Sequence, residues 1–83
     1  MLYMVELHYN REQREQALNY FWEHGTTFYE GHVVLQGLWV ATHDLIAYAL
    51  VEALDEEEMK KASEPLASFG TIEYRQVFSS DQI

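Results

Sequence analysis

Residues 32–54, HVVLQGLWVATHDLIAYALVEAL, are the most continuously apolar stretch of the chain, and Thr42, His43 and Asp44 break it into two runs of strand length. Two such runs around a polar break read as a β-hairpin, expected over residues 33–41 and 45–53. Along the first run Val33, Leu35, Gly37 and Trp39 alternate with Val34, Gln36, Leu38 and Val40. Along the second, Ala47, Ala49, Val51 and Ala53 alternate with Ile46, Tyr48, Leu50 and Glu52. Neither run shows the apolar-in, polar-out alternation of a sheet with one solvated face. Both faces of this hairpin are therefore expected to be covered, and that requirement constrains everything else.

The flanking segments read as what packs on the hairpin. Tyr3, Val5, Leu7 and Tyr9 alternate with Met4, Glu6 and His8, which predicts a strand over residues 2–9 with one apolar and one mixed face. Asn10 suits a helix N-cap, with Gln13 at the third helical position. Ala17, Leu18, Phe21 and Trp22 recur at helical spacing and predict an inward stripe ending near His24, with Gly25 as the left-handed closing residue. Residues 26–31 read as a connection. Past the hairpin, Asp55 and Glu58 have capping-box spacing, and Leu54 and Met59 occupy hydrophobic-staple positions. Glu56 to Glu58 precede Lys60 and Lys61, which matches the helix dipole. Met59, Ala62 and Leu66 are the inward positions of this second helix. Pro65 lacks the N–H that the helical ladder needs, so it breaks or kinks the helix, and Phe69-Gly70 closes it. A last strand is expected over residues 71–78, with Thr71, Glu73, Arg75 and Val77 on one face. Residues 79–83 read as a polar tail.

The order is β-α-β-β-α-β, a single ferredoxin-like α+β domain over residues 1–83. The right-handed crossover rule leaves room for the hairpin's second strand between the first two strands. The result is a four-stranded antiparallel sheet of order 4-1-3-2 with both helices on one face. The other face still needs a cover. A second copy packed back to back supplies it, so the expected assembly is a homodimer that forms a dimeric α+β barrel. The chain has no cysteine, and small domains without disulfides commonly gain their stability margin by association.

Charge excludes other partners. Fourteen acidic residues against five basic ones give a formal charge of −9. Arg11, Arg14, Lys60, Lys61 and Arg75 are scattered among acids, which argues against nucleic acid and against an anionic membrane surface. The N-terminal residues lack the pattern of a secretory signal, and the apolar stretch is too interrupted to span a bilayer. A cytoplasmic location is the expectation.

The residues that can carry chemistry lie on the second sheet face. Glu6 and His8 are two apart on one strand and so share a face. Arg75 and Glu73 fall on the neighbouring strand, which suggests Glu6–Arg75 and His8–Glu73 pairs. A histidine beside a carboxylate in a partly dry cavity is a tuned general base; in the plainer reading the set is cross-strand ion pairing that stabilises the sheet. Glu6, His8 and Arg75 are the candidate catalytic residues. Gln36, Trp39, Tyr48 and Glu52 are the candidate ligand-binding residues, since pockets combine apolar walls with a few polar anchors. The four histidines, His8, His24, His32 and His43, show no metal-binding spacing; His8 with Glu6 could supply two ligands and a dimer two more, but neither metal nor cofactor is expected. The glycines form no phosphate-binding loop, and no serine sits in a nucleophile elbow.

With these residues placed, the chain resembles a group of small uncharacterised bacterial proteins of the dimeric α+β barrel type. The resemblance is carried by Met1 to Val5, Phe21-Trp22, Glu30-Gly31, Trp39, Glu52 and Asp55, and Tyr29 and Leu38 depart from the group's usual residues. It implies the fold and a dimer, and no particular reaction. Three functions fit. The first is a barrel that binds a small apolar or aromatic ligand. The second is a cofactor-independent enzyme, of oxygenase or isomerase type, using Glu6, His8 and Arg75. The third is a structural or interaction module whose interior is filled by Met4, Leu38, Tyr48 and Leu50.

Overall fold

The alternation of the N-terminal segment is realised without a break. Strand β1 (Leu2–Tyr9) buries Tyr3, Val5, Leu7 and Tyr9 and leaves Leu2, Met4, Glu6 and His8 half-buried on the opposite side. The structure is a computed structural model that describes residues 1–24 and 33–82. Expectations that fall on residues 25–32, namely Gly25, the connection with Tyr29 and Glu30-Gly31, and His32, lie outside the described residues.

Asn10 caps as expected, with its Oδ1 accepting from the Gln13 amide at 2.8 Å. The α-helix itself begins one turn later, as α1 (Arg14–His24). Its anchor is Ala17, which is fully buried, with Leu18 and Phe21 half-buried. Trp22 departs from the expected stripe and is 85% exposed. Tyr20 takes up inward packing in its place, its ring 5.2 Å from Phe69 and edge-on to Phe21.

The hairpin forms as β2 (Val34–Val40) and β3 (Ile46–Glu52), joined through a turn in which the Ala41 amide donates to the Ile46 carbonyl. Strand β2 carries a bulge. Leu35 pairs with Val51 and Gly37 with Leu50, so Gln36 is an extra residue. A one-residue insertion reverses the facing of everything beyond it. Leu38 and Val40 therefore join Val33 and Leu35 on the side of the hydrophobic core, while Gly37 and Trp39 join Val34 on the other. This corrects the simple alternation expected for the first run, and it removes Leu38 from the residues expected to fill a barrel.

Asp55 opens α2 (Glu56–Ser63), its Oδ1 accepting from the Glu58 amide at 2.8 Å. Leu54 is 65% exposed, so the expected staple with Met59 is not a buried pair. Pro65 converts the helix into a 3-10 segment, Glu64–Ser68, which buries Leu66. Strand β4 (Gly70–Val77) follows. Gly70 is required where β4 meets the end of β1, because a Cβ there would overlap the carbonyl oxygen of His8.

The sheet order is β2-β3-β1-β4, with β1 antiparallel to both β3 and β4 and β2 antiparallel to β3. This is the expected order, read from the other edge, and the fold is ferredoxin-like α+β. One core unites Tyr3, Val5, Leu7, Val51, Ala17, Met59 and Leu66, which places both helices on the same face. Each fully buried Val or Leu here contributes about 1.5–3 kcal/mol. On this side burial raises the pKa of the Tyr3 phenol, with Glu56 and Asp55 adding to it. Burial likewise raises Tyr74, against an opposing pull from Lys60 and with a further push from Glu64. Lys60 is itself raised, chiefly by its hydrogen bond to Glu56, and lies 5.9 Å from the Tyr74 ring centre.

Candidate functional site

The face opposite the helices is organised as rows of residues in register across the four strands. One row runs Trp39, Tyr48, Glu6, Glu73; the next runs Gly37, Leu50, Met4, Arg75; a third runs Val34, Glu52, Leu2, Val77; at the other end His8 stands between Ile46 and Thr71. The face is thus mainly apolar, with ionisable groups concentrated where β1 meets β4. No helix among the described residues covers it.

Register explains the form of that ionisable cluster. Glu6 lies directly opposite Glu73, and like charges opposite one another destabilise a sheet. Arg75, at a diagonal position, offsets this in part. Arg75, opposite Met4, reaches across so that its Nε donates to Glu6 Oε2 at 3.3 Å, while its Nη2 stands 3.9 Å from Glu73 Oε2. His8 Nε2 lies 3.5 Å from Glu73 Oε2 and 4.0 Å from Glu6 Oε1. The expected Glu6–Arg75 and His8–Glu73 pairs are therefore present, as diagonal rather than directly opposed contacts. The Glu6 side chain is only 15% exposed, whereas Arg75 is 68% exposed. Ion pairs this open contribute about 0–1 kcal/mol each, far less than one buried leucine, so the fold does not depend on the cluster. The Nε2 atom of His8 is sealed from solvent yet makes no hydrogen bond among the described residues.

The candidate ligand-binding residues separate into two places. Trp39 and Tyr48 are register partners and continue directly into Glu6, so they belong with the ionisable cluster. Trp39 is 55% exposed, and its indole lies over Gly37, filling the space that a Cβ would take. Gln36 and Glu52 stand at the opposite end of the strands. The Gln36 Nε2 donates to Glu52 Oε2 at 2.7 Å, and the pair borders a shallow cleft of about 380 Å³ that is also lined by Leu2, Val77 and Phe78. Glu52 is four residues from Tyr48, roughly 13 Å along a strand. The bulge positions this second cluster, because Gln36 is the residue left outside the ladder.

Glu73, expected only as the partner of His8, joins Glu6, His8 and Arg75 in the cluster, and its two-residue spacing from Arg75 is the signal for it in the sequence. Phe78 and Val77 gave no comparable signal, since single apolar residues near a chain end are common. His43 lies exposed in the hairpin turn, away from either cluster.

A ferredoxin-like α+β sheet with one open, partly ionisable face is the class that these observations define. The chain belongs to the family described as "Domain of unknown function (DUF3303)", whose model matches residues 1–83. No curated protein matches the sequence. Among solved structures, the chain is similar to an uncharacterized NIPSNAP domain protein from Burkholderia xenovorans, with a TM-score of 0.65 and 12% identity over 95% of this chain and 93% of that one. At that identity the likeness establishes the fold alone. No helix among the described residues is long and apolar enough to cross a membrane.

Proposed function

We propose that the chain acts as a homodimer, the open faces of two sheets packed together as an α+β barrel, and that the space between them takes a small apolar or aromatic ligand. One observation carries this reading: Leu2, Met4, Ile46, Tyr48, Leu50, Val34, Trp39 and Val77 share the uncovered face. Contiguous apolar surface on a small protein marks an interaction site. A two-fold arrangement lets one patch serve both partners. Within such a barrel Trp39 and Tyr48 offer broad apolar surface with a polar tip, and Gln36 with Glu52 offers a hydrogen-bonding anchor at the far end.

Sedimentation of the chain at micromolar concentration tests the assembly. The expected mass is that of two chains, and Leu50→Glu, which places a charge at the centre of the face, is expected to give the mass of one. A single-chain mass for the unaltered protein overturns the barrel. Thermal melting with indole and related aromatic probes tests the ligand: stabilisation is expected, and its absence across the series leaves the dimer as a structural module.

A further inference from the structure

We infer that Glu6, His8 and Glu73 form a binding site for a divalent transition-metal ion. Each residue offers one ligand atom, and the three atoms lie within 4.8 Å of one another. The site is defined within one chain, so it stands whether or not the barrel reading holds.

Two independent features point to a cation. The first is the register: two carboxylates are held face to face across adjacent strands, an arrangement unfavourable unless a positive charge lies between them. Arg75 meets that need only in part. It engages Glu6 through Oε2, which leaves Oε1, the oxygen facing His8, available, and it reaches Glu73 Oε2 only at 3.9 Å. Such a bond from behind fixes the orientation of a ligating carboxylate and tunes it. The second feature is the Nε2 atom of His8. The imidazole is 36% exposed, but Nε2 itself is shielded from solvent and makes no hydrogen bond among the described residues, standing between carboxylate oxygens at 3.5 and 4.0 Å. These separations are long for hydrogen bonds. They suit atoms bound to one ion, since ligands about 2.1 Å from a tetrahedral centre stand about 3.4 Å apart. Glu73 is half-exposed and held only by contacts of 3.5 Å to His8 and 3.9 Å to Arg75, so its side chain can close the remaining gap.

The donor set selects the metal class. Imidazole suits zinc, iron and copper, whereas all-oxygen sites suit magnesium and calcium. One nitrogen and two carboxylate oxygens make zinc the probe of choice. Three protein ligands leave at least one coordination position open, as in zinc sites that bind and activate water. Tyr48, opposite Glu6, is the neighbouring side chain on this face. Spacing along the chain hides the site, because the third ligand arrives from β4.

The test uses the full chain stripped of metal with a chelator, then titrated with Zn²⁺ by calorimetry and with Co²⁺ by visible absorption. One ion per chain is expected, with Co²⁺ bands typical of low coordination and a rise in melting temperature that chelator reverses. His8→Gln and Glu73→Gln are each expected to weaken binding at least about tenfold while the metal-free circular dichroism is unchanged; His43→Gln, in the exposed turn, is expected to bind as the unaltered chain does. Failure of the unaltered chain to bind either ion overturns the site. Binding that survives both His8→Gln and Glu73→Gln, or that is lost with His43→Gln, overturns it equally. The Co²⁺ spectrum of the unaltered chain decides the matter should a variant fail to fold.

Discussion

At the scale of single residues, the two described strand glycines are constrained by different neighbours. A Cβ on Gly70 meets the backbone carbonyl of His8, which cannot move without moving β1. A Cβ on Gly37 meets the Trp39 ring, the far end of a flexible side chain. Gly70→Ala is therefore expected to destabilise the fold by about 1–3 kcal/mol, the usual range for overpacking, and Gly37→Ala by clearly less. Urea denaturation of the two variants checks the order, and equal losses would show that the β1–β4 junction is not close-packed. The same scale shows how far the site was legible. Glu6 and His8 could be placed on one face because side chains alternate along any strand. Their pairing with Arg75 and Glu73 followed from the neighbouring strand's own alternation, whereas the direct opposition of Glu6 and Glu73 depends on register, which a period-two pattern does not show.

At the scale of elements, the caps Asn10 and Asp55 are legible in the sequence because their geometry is local. Asp55 needs only the amide three residues on, and that bond is present. Asp55→Ala is expected to cost about 1 kcal/mol, seen as a lower melting temperature, and Asp55→Ser is expected to restore most of it. What the sequence concealed at this scale depends on tertiary context. Trp22 fits the helical stripe by spacing yet lies outside, with Tyr20 packed on Phe69 instead. The bulge was hidden for a related reason. Gln36 is an ordinary residue, and only the partner strand reveals that it has no opposite number. Once the bulge is counted, burial alternates along each half of β2, but its outward Val34 and Trp39 are still apolar and join Ile46, Tyr48 and Leu50 of β3 on the open side.

At the scale of the whole molecule, strand and helix order were legible because β-α-β-β-α-β with right-handed crossovers leaves few arrangements. Alkaline behaviour is also a property of the whole. The phenols of Tyr3 and Tyr74 titrate above their ordinary 10.0 in the folded chain, and Lys60 above its ordinary 10.5. Folding thus favours their protonated forms. Their contribution is fully present below the ordinary values and is lost as pH rises through the raised ones. Melting temperature is expected to hold to about pH 9 and fall beyond pH 10, with a shallower fall in Tyr74→Phe; an equal fall in that variant would remove Tyr74 from the account. The bulge has a further consequence at this scale. An edge strand is a template on which foreign strands can grow, and proteins interrupt such edges to prevent it. Strand β2 is an edge, and Gln36 divides it into two short ladders that are out of step. An incoming strand can match one half or the other but not both, so the bulge guards the exposed edge of the chain's most apolar hairpin against seeding a fibre.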